Sequence, residues 1–322
     1  MHKTFELQQI IEKAITQIEY PSKPLNLYAP ITYIMNLGGK RLRPALVLIA
    51  SELFGGRIED ALPAALAIET FHNFTLIHDD IMDNAPLRRG KETVHERWGV
   101  NNAILSGDVM MVEANKQLAM LDSRYLKEAL NTFNATAQGV CEGQQLDMEF
   151  ETRNDVGIEE YIDMIRLKTA VLVGGAMKLG AITAGAEDCD KDKIYEFGEN
   201  LGVAFQLQDD ILDVYGDPEK FGKLVGGDII ANKKTFLLLS LKNLALPQDL
   251  EYLAEQAQNP ELVSKIENVS NLYDKYNVKS LAVDQMKNYL NKAFKALSEI
   301  KLPESRKEVL VQLANELMNR ES

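Results

Sequence analysis

The amino-acid sequence predicts an all-α fold, on three observations. Proline is crowded towards the beginning, at positions 21, 24, 30, 44, 63 and 86, and is absent from Leu87 to Asp217. An interior proline costs a helix about 3 kcal/mol, so a proline-free run of that length suits long helices. Apolar residues recur at helical spacing, as in Leu66, Ile68, Phe71, Phe74, Ile77 and Ile81. Alternating strand patterns joined by Asn-Gly or Asp-Gly turns are absent.

Breaker residues divide the chain in order. Pro21, Pro24 and Pro30 predict a loop over 20–30, Gly55 and Gly56 one over 54–59, and Pro86 with Gly90 one over 84–92. Further loops are expected at 188–190, at the glycine-rich 216–232, and at 247–260 between two prolines. Helices fill the intervals. No linker, low-complexity tract or repeat of fixed period interrupts residues 1–322, which read as one domain. Its helices are expected to form one bundle, with facing side chains building a site in the core.

Composition excludes several functions. The chain of 322 residues carries 35 Lys+Arg against 48 Asp+Glu, a formal net charge of -13. Nucleic-acid affinity rests on neutralising phosphates, so no nucleic-acid partner is expected. Cys141 and Cys189 have no motif spacing, which excludes a disulfide framework and a Cys/His zinc cluster. The opening MHKTFELQQIIEK lacks the apolar core of a signal peptide, and the small-apolar stretch 169–186 is broken by Lys178 and four glycines. A cytoplasmic protein without a membrane span is expected.

Two acidic motifs carry the chemistry. LIHDDIMD at 76–83 and LQDDILD at 207–213 both contain Asp-Asp-x-x-Asp. On a helix Asp79 and Asp83 lie one turn apart, ~40° round the axis. At ~6 Å and an effective dielectric of ~20 such a pair repels by roughly 3 kcal/mol. Asp79, Asp80 and Asp83, like Asp209, Asp210 and Asp213, sit among apolar residues rather than on an evenly polar face. A divalent cation is the compensation expected. Carboxylates suit Mg²⁺, which commonly takes one or two of them with waters and substrate phosphates. An EF-hand is a poor match, since DDIMDNAPLRRG lacks the alternating ligands, central glycine and final Glu.

Basic residues stand near these motifs. GGKRLRP at 38–44 supplies Lys40, Arg41 and Arg43, and LRRG at 87–90 supplies Arg88 and Arg89. Lys168 and Thr169 lie in a helical stretch, and Lys223, Lys233 and Lys234 follow the second motif. Arginine recognises phosphate oxygens bidentately and lysine acts as a point charge, so a phosphorylated substrate is expected. Neither a complete P-loop nor GxGxxG occurs, which argues against ATP and dinucleotides. His72 falls ~20° from Asp79 round the helix and ~10 Å below it, in reach of substrate. With no Ser-His-Asp or Cys-His set, covalent nucleophilic catalysis is unsupported.

With GGKRLRP, HNFTLIHDDIMDNAPLRRG, GQQLD at 143–147, RLKTAVL at 166–172, FQLQDDILD and NKKTF at 232–236, the sequence resembles a trans-isoprenyl diphosphate synthase, or polyprenyl synthetase. The resemblance implies helices around a deep central cavity, a homodimer, and condensation of an allylic diphosphate with isopentenyl diphosphate. It implies three Mg²⁺ ions, with Asp79, Asp83 and Asp209 as ligands on the allylic diphosphate and Asp80, Asp210 and Asp213 in support. Arg88, Lys168, Lys223 and Lys233 would contact the allylic diphosphate. Lys40, Arg43, His72 and Arg89 would bind isopentenyl diphosphate. Thr169 and Gln206 would line the reacting carbons, and closure of the 216–232 loop would exclude water.

Asn232 stands where the family's GKxT motif has glycine, and Lys234 beside Lys233 gives two candidate contacts. Class I terpene cyclases and head-to-head synthases also ionise allylic diphosphates, but the second Asp-rich motif argues against them. Non-catalytic subunits of heteromeric prenyl synthases typically lose an aspartate motif, and both are intact here. Chain length in the family is set below the first motif. Phe74, ~7.5 Å along the helix from Asp79, is expected to obstruct the growing tail, beside Thr75 and with Phe71 as a second floor. The resemblance implies C15–C20 products, leaning to C20.

Overall fold

Helices make up most of the computed structural model, which describes residues 2–217 and 225–319. They are α1 (Thr4–Thr16), α2 (Leu25–Met35), α3 (Leu42–Leu53), α4 (Ile58–Met82), α5 (Val94–Trp98), α6 (Val100–Leu118) and α7 (Ser123–Thr152). There follow α8 (Ile158–Ile165), a π-helical turn (Arg166–Ala170), α9 (Val171–Thr183), α10 (Asp188–Tyr215) and the short α11 (Gly227–Ile230). Helices α12 (Phe236–Leu244), α13 (Pro247–Ala257), α14 (Leu262–Lys275), α15 (Val278–Glu299) and α16 (Glu304–Met318) complete the chain. Between α4 and α5, β1 (Leu87–Arg88) and β2 (Lys91–Glu92) form an antiparallel hairpin. The all-α expectation is met.

The helices group into two units, one of residues 1–137 and 175–195, the other of 138–174 and 196 onwards; the divisions fall inside α7, α9 and α10. In the first unit α4 packs against α3 and α6, while α1 lies on α3 and α2 on α6. The apolar positions of α4 extend beyond one stripe: Ala64 to Phe71 are all buried, as for a helix enclosed on every side. Phe71 and Phe133 are fully buried and meet edge to face, with ring centroids 5.4 Å apart. Burying each ring contributes about 1.5–3 kcal/mol. On α9, Gly180 admits α3, since a Cβ there would lie 2.8 Å from the Ala50 Cβ.

In the second unit α12 packs against α8, α14 and α15, and α14 packs against α11 and α13. Two backbone approaches fix the π-helical turn. A Cβ at Gly143 of α7 would lie 2.6 Å from the Lys168 Cα, and one at Gly202 of α10 would lie 2.6 Å from the Ala170 Cα.

Several expected loops are shorter than the sequence suggested. Helix α2 begins at Leu25 and carries Pro30 in its interior. The nearly complete burial of Ile31, Ile34 and Met35 outweighs one lost backbone hydrogen bond. Residues 188–190 open α10, where acidic side chains favour the positive end of the helix dipole. Pro247 occupies the first position of α13, where its missing N–H would be unpaired anyway. Within the expected 216–232 loop, residues 227–230 are helical and 218–224 lie outside the described residues.

Candidate active site

The first aspartate motif ends α4: Asp79 and Asp80 lie in its last turn and Asp83 caps it. Asp79 is half-buried, Asp83 exposed and Asp80 fully buried. The Arg88 guanidinium donates to the Asp80 carboxylate through Nη2 at 2.7 Å and through Nε at 2.9 and 3.0 Å. Arg88 reaches it from β1, because the chain reverses at Arg89 and Gly90, both with positive φ (54° and 74°). That pairing is the type I′ signature.

A field of positive charge lies in the same unit. Arg41, buried, is neutralised by Glu69 at 2.5 Å and Glu12 at 2.7 Å, and it donates to the Met35 carbonyl at 2.6 Å. Its role is to tie α3 to α1 and α4. Arg43 is different. Its Nη1 lies 3.3 Å from His72 Nε2, and its buried Nε has no hydrogen-bond partner. Burial pushes the Arg43 pKa down. Burial, and then the charges of Arg43, Arg89, Arg88 and Arg41, hold His72 well below the usual imidazole range. The neutral ring therefore accepts from Arg43 Nη1 through Nε2. Arg89 packs over Gly39, where a Cβ would lie 2.8 Å from its guanidinium, and donates to the Gly38 carbonyl. This explains Gly39, while Gly38, whose Cβ would meet nothing, is favoured by its φ of 78°. Arg43, His72 and Arg89 thus come together, whereas Lys40 lies on an exposed stretch whose carbonyl accepts from Gln8.

The second motif lies on α10 in the other unit. Asp210 is buried, accepting from the Tyr161 hydroxyl, from Gln206 Nε2 at 3.3 Å and from the Phe236 backbone N–H. Burial, and then the charge of Asp228, push its pKa up to about 7. Gln206 also accepts from the Thr169 hydroxyl at 3.2 Å. Asp213 accepts from the Asp228 N–H at 2.9 Å, holding the start of α11. Lys168 pairs with Asp147 of the GQQLD segment. In both motifs, then, the middle aspartate is turned inward and satisfied by protein donors.

Of the two adjacent lysines, Lys234 donates to the Glu151 carbonyl at 2.8 Å, while Lys233 lies 4.0 Å from Asp228 and is exposed. Burial, and then Lys242, push the Lys234 pKa down. A cavity of about 610 Å³ in this unit is lined by Asp228, Lys233, Lys234, Lys242 and Tyr273 among others. Asn232 has φ 52°, a left-handed conformation that asparagine and glycine adopt more readily than other residues. Lys223 lies outside the described residues. Sequence reasoning gave no role to Tyr161, Asp147 or Asp228. Their spacing alone announces nothing; only the fold brings them to the second motif.

No group of three or more His, Cys, Asp or Glu side chains among the described residues is arranged to hold a metal ion. The chemistry of the carboxylate set nevertheless fits Mg²⁺, which takes few protein ligands and completes its shell with water and phosphate oxygens.

Residues 24–275 match the polyprenyl synthetase family. The chain belongs to that family. It is 35% identical over 314 residues to the geranylgeranyl diphosphate synthase of Methanosarcina mazei, covering 97% of this chain and 95% of that one. Its fold is similar to a crystal structure of geranylgeranyl pyrophosphate synthase, with a TM-score of 0.95, 43% identity and all of both chains covered. It is also similar to the polyprenyl synthase of Caulobacter crescentus CB15 in complex with calcium and isoprenyl diphosphate, at 28% identity and a TM-score of 0.84, covering 99% of this chain and 95% of that one. As a polyprenyl synthetase the chain is a prenyltransferase, as its motifs implied. Among the described residues no helix is long and apolar enough to cross a membrane.

Proposed function

We propose that the chain condenses isopentenyl diphosphate with dimethylallyl, geranyl and farnesyl diphosphates, releasing diphosphate and making all-trans products of C15–C20, chiefly geranylgeranyl diphosphate. The observation that carries this reading is the Arg43–His72–Arg89 group. It combines a buried arginine Nε without a partner, a neutral imidazole and a second guanidinium, and the nearby carboxylates Glu69 and Glu12 are both engaged by Arg41. A diphosphate is the ligand that such a set of donors lacks.

Asp79, Asp83 and Asp209 would hold Mg²⁺, three ions in all, and the metal supplies charge neutralisation on the departing diphosphate. Arg88, Lys168, Lys223 and Lys233 neutralise the same group. Arg88 is held for that task by Asp80, and Lys168 by Asp147. Arg43, His72, Arg89 and Lys40 would hold isopentenyl diphosphate, whose double bond attacks the allylic cation. The Thr169 hydroxyl and the Gln206 amide carbonyl present oxygen dipoles to the developing positive charge. The proton released after bond formation passes to the diphosphate. Water must be kept out, or the cation is captured as an alcohol.

Residues 1–322 would form one polyprenyl synthetase domain, working as a cytoplasmic homodimer. The exposed apolar residues Ile104, Leu105 and Val112 on one face of α6 support a second copy as partner. The test is incubation of the purified chain with isopentenyl diphosphate and each allylic primer, followed by mass spectrometry. Cyclised or head-to-head products, or no turnover without a second subunit, would replace this reading.

A further inference from the structure

Phe74 and His78 are one turn apart on the same face of α4, and their rings meet edge to face with centroids 4.7 Å apart and an interplanar angle of 65°. Both ends of this contact are anchored. On the far side Phe74 rests on Phe71 at 5.6 Å, and Phe71 on the buried Phe133 at 5.4 Å. On the near side His78 donates from Nε2 to the Ile104 carbonyl of α6 at 3.2 Å. One turn further along α6, Gly107 leaves open the space that the imidazole fills. A Cβ there would lie 2.7 Å from His78 Cδ2 and closer still to Nε2. The α6 backbone thus fixes the imidazole, and the imidazole fixes the Phe74 ring against the core.

We infer that His78 is a positioning residue for product length: it wedges Phe74 in the rotamer that closes the floor beneath the growing prenyl chain. The inference rests on the reading of Phe74 as that floor. Phe74 is only half-buried, so the core alone does not hold it. A ring that stops a chain must resist displacement by the next five-carbon unit. Its sharpness as a stop depends on how rarely it swings aside, and that depends on the ring packed on its open side.

The experiment compares product ratios by mass spectrometry for the full-length chain and the variants Phe74→Ala, His78→Ala, His78→Phe, Gly107→Ala and Gly107→Ala/His78→Ala. Phe74→Ala shifts products to C25 or longer. His78→Ala raises the ratio of the next longer product to the main one by about fivefold, the effect of losing one ring–ring contact. His78→Phe returns the ratio towards the starting value by restoring a ring. Gly107→Ala changes the ratio where His78 is present and adds nothing in the His78→Ala background, because the methyl then occupies vacated space. A general loss of folding or turnover does not by itself move this ratio, and Gly107→Ala keeps the test open if His78→Ala does not fold. An unchanged profile in Phe74→Ala overturns the floor reading, and the His78 inference with it. A shift in Phe74→Ala with unchanged ratios in His78→Ala and Gly107→Ala overturns the His78 inference alone. So does a Gly107→Ala effect that persists in full without the imidazole.

Discussion

Arg88 and Asp80 form a fork from the β-hairpin to the last turn of α4, with the carboxylate 1% exposed and the shortest contact 2.7 Å. The pair fixes where the basic motif stands relative to Asp79 and Asp83. It also means that neither partner can be removed alone without leaving the other's charge stranded.

Arg88→Ala therefore loses stability as well as allylic substrate binding. A buried carboxylate without its partner costs about 3–5 kcal/mol, whereas Arg88→Ala/Asp80→Asn, which leaves no stranded charge, recovers part of that loss. Urea unfolding of both variants measures it, and equal stabilities would contradict the pairing.

Asp79→Ala and Asp209→Ala should lower turnover by orders of magnitude while leaving helical content unchanged, since a lost ligand weakens leaving-group stabilisation. Circular dichroism and steady-state kinetics check the two halves of this statement. Full activity in excess chelator would exclude metal-assisted ionisation.

The two diphosphate sites should separate kinetically. Arg43→Ala chiefly raises the KM for isopentenyl diphosphate, and Lys233→Ala chiefly that for the allylic substrate. If both variants change the same KM, the residue assignments are wrong.

Tyr161 gives a pH-dependent prediction. With its pKa near 7 in the fold against the ordinary 3.8, Asp210 holds a proton that the unfolded chain releases. Its contribution to stability is complete below about pH 4 and is lost as the pH rises through 7. Tyr161→Phe removes a donor to the ionised form. Its penalty should be small at about pH 5 and grow to about 1.5–3 kcal/mol above pH 8. Thermal melts in chelator across this range test it, and a penalty independent of pH would be the contrary result.

The fold class was legible in proline placement and apolar spacing, because long helices leave both marks. The loop boundaries were less so. Pro30 and Pro247 read as breakers, yet one is carried by a buried apolar face and the other sits at a helix start. The aspartate motifs were legible as motifs, but not the division within them: a helical wheel does not reveal that Asp80 and Asp210 point to Arg88 and Tyr161. Arg41 and Arg43 look equivalent in GGKRLRP. Only tertiary contacts, Glu12 and Glu69 for one and His72 for the other, assign the first to the scaffold and the second to the candidate anion site.

The π-helical turn at Arg166–Ala170 sets the helical phase of everything before it. An α-helix advances ~100° per residue, so the extra residue in a π turn rotates α8 by that amount relative to α9. With the turn in place, Tyr161 reaches Asp210 while Thr169 reaches Gln206, and the apolar residues on both sides of it, Met164 and Ile165 before and Val171 and Leu172 after, remain buried. Deleting one residue within 166–170 would turn the stretch into a continuous α-helix. It would bring one side into register only by carrying the other side's contacts a quarter-turn or more out of place. The turn is the phase offset that lets one rod serve two layers of the second motif.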